Sequence, residues 1–161
     1  MFLSFIARMK KLFKLTILSL AFLLAACIFN TTKVSFDPIP YEMKVPKEIA
    51  GKLTLEPMTG DWVKQIAQAG VTAALMMNYQ AEDGTQHGFA GIYYMPEDKF
   101  DAAANPNEPP MFGTEVSRKD GYVLAIAGPH DSIFEPFTPD GKNVTTLYEE
   151  LYKKSTYIKT N

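Results

Sequence analysis

Apolar and polar positions fall into three patterns along the chain. Residues 15–29 are almost continuously apolar, and a basic stretch of Arg8, Lys10, Lys11 and Lys14 precedes them. Residues 28–50 are mixed, punctuated by Pro38, Pro40 and Pro46, and read as an extended, semi-rigid tether. Beyond residue 50 the pattern becomes regular. Val71, Ala73, Leu75, Met77 and Tyr79 share one side of a period-two alternation, which predicts a strand. Glu82-Asp83-Gly84 supplies a turn, and Gly88 to Met95 predicts a second strand with apolar residues on both faces, as a central strand requires. Met111 to Arg118 and Tyr122 to Ala127 flank Lys119-Asp120-Gly121, a hairpin signal because Asp-Gly tolerates positive φ.

Helical spacing appears three times. Trp62, Val63, Ile66 and Ala67 recur up to Gly70, with Trp62, the only tryptophan, as the expected core anchor. Pro96-Glu97-Asp98 opens a short helix, since proline and acids favour a helix N-terminus. Val144, Leu147, Tyr148, Leu151 and Tyr152 form the stripe of an amphipathic helix, with Asn143 as its expected N-cap. A weak strand is expected from Lys52 to Glu56. The order predicts an α+β fold: an antiparallel sheet of four to five strands, two hairpins, and about three helices packed on it in two layers.

The N-terminal pattern carries a motif. Leu24-Ala25-Ala26-Cys27 closes the basic and apolar run, and Cys27 is the only cysteine. It resembles the lipobox of bacterial lipoproteins, in which two small residues precede a cysteine that takes a diacylglyceryl group and becomes the mature N-terminus. At 15 residues, the apolar run is shorter than the ~18–20 a membrane-spanning helix needs, while basic and apolar regions in this order suit an export signal. Met9 opens Met-Lys-Lys-Leu-Phe-Lys, a second candidate start. The resemblance implies a signal peptide at 1–26, a lipidated N-terminus and tether at 27–50, and one domain at 51–161. It implies a lipid-anchored, extracytoplasmic location at the cell membrane or outer membrane, with the bilayer as partner through acylated Cys27. Ile28 is not the aspartate that retains many such proteins at the inner membrane.

Cleavage before Cys27 leaves 135 of 161 residues, which carry 12 lysines and arginines against 18 acids. A net charge of −6 disfavours nucleic acid as a partner, and the sequence shows no basic cluster to hold acidic lipid headgroups. With Cys27 lipidated, no thiol is left for a disulfide or for catalysis.

Candidate chemistry is sparse. His87 and His130 are the only histidines, and with Asp131 and Glu82 or Asp83 they are candidate metal ligands of an enzyme, but without a specific ligand spacing. Ser132 beside His130 and Asp131 lacks the nucleophile elbow of a serine hydrolase. Met76, Met77, Met95 and Met111 read as core, and the Asn143-Val144-Thr145 sequon reads as chance. The 14-residue stretch Gly128 to Gly141 is long for an unstructured loop. His130, Asp131, Ile133, Phe134 and Phe137 make it a candidate interaction loop, its aromatics forming either a binding surface or a lid on the core. No cofactor or metal is expected. The sequence yields no specific activity; with the lipobox resemblance, the expectation is a non-catalytic binding or interaction lipoprotein of the cell envelope, contacting an envelope protein or small ligand. A small-substrate or metal-dependent enzyme using His87 and His130, or a structural accessory subunit, are the alternatives.

Overall fold

The computed structural model describes residues 30–105, 107–129 and 134–160. The chain divides between Thr31 and Thr32, and the elements below belong to the unit that begins at Thr32 apart from the first residue of the first strand. They run β1 (Thr31–Ser35), β2 (Tyr41–Pro46), α1 (Lys47–Ala50), β3 (Leu53–Pro57), α2 (Trp62–Gln68), β4 (Ala73–Gln80), β5 (Gln86–Pro96), α3 (Glu97–Ala102), β6 (Thr114–Lys119), β7 (Tyr122–Ala127), α4 (Pro139–Leu151), a 3-10 turn (Lys154–Thr156) and β8 (Tyr157–Lys159).

The fold is α+β, built on two antiparallel sheets rather than one. Five strands form the larger sheet in the order β3-β4-β5-β7-β6, and β1-β2-β8 form the smaller. The β6–β7 hairpin turns at Asp120 and Gly121, which both have positive φ. β5 is central, paired with β4 and β7, as its two apolar faces predict.

Those two faces build two cores. On one side Leu75, Met77, Tyr79, Ile92, Tyr94, Leu124 and Ile126 meet Phe36, Tyr41, Met43, Val45 and Tyr157 of the small sheet and its turns, and Val144, Leu147 and Leu151 of α4. On the other, Tyr93, Met95, Val123 and Ala125 meet Ile66 and Val63 of α2 and Phe100 of α3. The larger sheet is therefore the middle of three layers, not one of two. Burying a large apolar side chain in such a core contributes about 1.5–3 kcal/mol.

The expected tether is the principal difference from the sequence reading. From residue 31 it is folded: Tyr41, Met43 and Val45 alternate inward along β2, and Phe36, Ile39 and Ile49 are also buried. The prolines had signalled extended chain. Extended chain here is strand, because every second side chain is apolar and a partner strand, β8, lies alongside in antiparallel register. Trp62, expected as a core anchor, is 39% exposed; its indole meets the edge of Tyr93 at 6.2 Å between ring centres.

Candidate functional site

α4 begins at Pro139, five residues before the start of the apolar stripe that predicts it. The Thr138 hydroxyl caps it by accepting from the Gly141 N–H at 3.0 Å, and Pro139 and Asp140 occupy the first turn, where both residue types are favoured. Asn143 is therefore inside the helix and not its cap; its side-chain amide donates to the Tyr79 hydroxyl at 3.2 Å. The early start shortens the long loop and brings Asp140 to the sheet.

Asp140 is 9% exposed and fully partnered. One carboxylate oxygen accepts from the Tyr79 hydroxyl at 2.7 Å and from Lys52 Nζ at 3.0 Å. The other accepts from the backbone N–H of Glu82 at 2.9 Å. Burial pushes this carboxyl up, but the Glu82 N–H, the Tyr79 hydroxyl and the Lys52 ammonium together hold it below its ordinary value. The hydrogen bond to Asp140 holds Lys52 above the usual lysine value, and burial raises Tyr79. The arrangement clasps the start of α4 to the end of β4. Both carboxylate oxygens of Asp140 are partnered, so the arrangement is a structural fastening. Asp140 was hidden inside the segment read as loop; Thr138-Pro139-Asp140, a cap followed by proline and an acid, is the signal that reveals it.

The candidate loop is split in its roles. Phe134 packs against the core, 5.8 Å from the Tyr79 ring and 5.1 Å from the His87 ring, edge to face in both cases. Phe137 is 89% exposed. His130, Asp131 and Ile133 lie outside the described residues, as do Leu24, Ala25, Ala26 and Cys27. His87 stands on β5 opposite Tyr79, its ring set against Phe134. Among the described residues no three of His, Cys, Asp and Glu gather as metal ligands.

The loop does wall a cleft at its start. Pro109, Pro110, Met111, Gly113 and Thr114 form one side, Ile126 to Pro129 the floor, and Tyr148 and Tyr152 of the α4 end the other side, around about 470 Å³. Pro110 accepts from the Gly113 N–H at 3.0 Å, closing the turn that leads into β6. Gly113 has a φ of +79°, and a side chain there would collide with the backbone carbonyl of Ile126. Only glycine lets the proline turn lie this close to β7. Tyr152 receives the Gly128 N–H on its hydroxyl at 3.1 Å, so one tyrosine is fixed. Tyr148 stands against it at 5.2 Å and is 46% exposed. Met111, expected in the core, is 63% exposed at the rim. Among the described residues, none that lines the cleft carries a charge.

Compared with protein-family models, with curated proteins and with solved structures, the chain has no match. What defines it is thus its fold and its cleft: an α+β domain with an open cleft lined, among the described residues, mainly by tyrosine, proline, methionine and small residues.

Proposed function

We propose that this chain is a bacterial lipoprotein, anchored through lipid on Cys27, whose domain is a non-catalytic binding module of the cell envelope. The observation that carries the binding reading is the cleft beside the loop at Gly128. Rigid tyrosine and proline walls bind with little loss of side-chain freedom, and Met111 adds an adaptable apolar rim. Tyrosine, proline and methionine walls suit a ligand with a flat or apolar face. The lipobox supports the anchor and the extracytoplasmic location.

Two measurements test these halves. Labelled palmitate should enter the parent protein and not Cys27→Ser; a variant still lipidated and cleaved refutes the anchor. A photo-crosslinking residue placed at Met111 should give one discrete adduct in the native envelope, lost in Tyr148→Ala while thermal stability is retained. Absence of any adduct refutes the cleft as a binding site.

A further inference from the structure

The small sheet collects charge from both ends of the chain. Residues 31–50 and 153–160 contain six lysines against Asp37, Glu42 and Glu48, whereas residues 51–152 contain six basic residues against fifteen acids. The segments that form and flank the small sheet thus carry a net positive charge and the rest of the domain a negative one. β2 buries Tyr41, Met43 and Val45, so Glu42 and Lys44 face outward. Lys33 of β1 meets Glu42 at 2.8 Å on that outer face. Lys47 opens α1, and Lys154 opens the 3-10 turn that packs against β2. Lys44, Lys47 and Lys154 are exposed, and among the described residues none of the three makes an ion pair. Lys153 and Lys159 are paired with Glu150 and Asp120. The sequence separates Lys154 from Lys44 and Lys47 by more than a hundred residues, and the pairing of β8 with β2 brings its turn to that strand.

We propose that this outer face of the small sheet lies against the anionic phospholipid headgroups of the bilayer that holds Cys27. The inference rests on the lipoprotein reading. Three residues separate Cys27 from the start of β1 at Thr31, and the four steps of chain between them reach at most about 14 Å. That is scarcely more than the ~8–10 Å over which physiological salt leaves charges interacting. The anchor thus delivers the small sheet, and not the far helices, to the surface. There each unpaired lysine favours the facing orientation by about fivefold, the equivalent of roughly 1 kcal/mol. The acidic remainder is repelled by the same surface, which adds to the orientation.

The test uses the lipidated full-length product in vesicles of phosphatidylcholine, with or without phosphatidylglycerol and with a quencher on a trace lipid headgroup. A fluorophore is placed by Ser35→Cys on β1 or by Gln68→Cys on α2, two exposed positions in the outer layers on opposite sides of the larger sheet. With phosphatidylglycerol present, the Ser35→Cys label should be quenched several-fold more than the Gln68→Cys label. The difference should shrink in pure phosphatidylcholine and in the triple variant Lys44→Glu, Lys47→Glu, Lys154→Glu. Equal quenching at the two positions, or a difference indifferent to both changes, overturns the proposal. Mass spectrometry of the N-terminal peptide reads the anchor separately. Lipid on Cys27 with equal quenching sinks the orientation alone, whereas absence of lipid sinks the anchor and the orientation with it.

Discussion

Single residues decide how α4 is held. Asp140→Ala would leave the Tyr79 hydroxyl, the Glu82 N–H and the Lys52 ammonium without their acceptor, and should destabilise the domain by roughly 2–3 kcal/mol. Denaturant unfolding checks this, and a loss of only a few tenths would mean the clasp is incidental. The same carboxylate sets an acid limit. Its folded pKa is below its unfolded value, so its contribution is complete above the ordinary carboxylate pKa near ~4 and is lost as pH falls through and below it. The unfolding midpoint of the parent should therefore drop on acidification below about pH 4 more steeply than that of Asp140→Asn. The two phenylalanines of the loop separate just as cleanly. Phe134→Ala removes a partly buried ring from Tyr79 and His87 and should cost about 1–3 kcal/mol, less than the ~3–5 of a fully buried ring. Phe137→Ala should stay within about 0.5 kcal/mol. Comparable losses in thermal melts of the two variants would contradict this division.

Elements whose signal is local were legible in the sequence, and those whose signal is remote were not. The β6–β7 hairpin and α2, α3 and the body of α4 follow from turn chemistry and from apolar spacing within one segment. Leu147 and Leu151 are fully buried as their stripe requires, and Leu147→Ala should cost about 2–5 kcal/mol in denaturant unfolding. The small sheet gave no such signal. β1 and β8 are five and three residues long, and β8 becomes a strand only by pairing with β2, more than a hundred residues away. The prolines of 38–46 pointed to extended chain and left open whether it was paired. A chain beginning at Gly51 should accordingly lose cooperative unfolding, since it lacks Phe36, Tyr41, Met43, Val45 and Ile49; a sharp thermal transition from it would show the small sheet to be dispensable. Of the candidate site, the Gly128 to Gly141 stretch that begins at the cleft was visible as a long loop. The cleft was not, because its walls come from three segments, and Met111, which looks like core by type, is exposed at its rim.

At the scale of the whole molecule, the two ends of the folded domain are sewn into one small sheet over the middle of the chain. Met43 pairs with Tyr157, whose hydroxyl donates to the Leu151 carbonyl at 2.5 Å and is pushed well above its ordinary value by burial. Lys159 reaches the Asp120 carboxylate at the tip of the β6–β7 hairpin. Contacts this distant in sequence form late and slow the search for the fold, because the loop they close must be ordered first. If the chain is exported N-terminus first, as proposed, β2 would be held on the far side of the membrane with only β1 beside it until β8 arrived. Its first segment would wait for its last. Completion of the fold would then wait on β8, keeping the earlier strands of the small sheet slack until it has emerged.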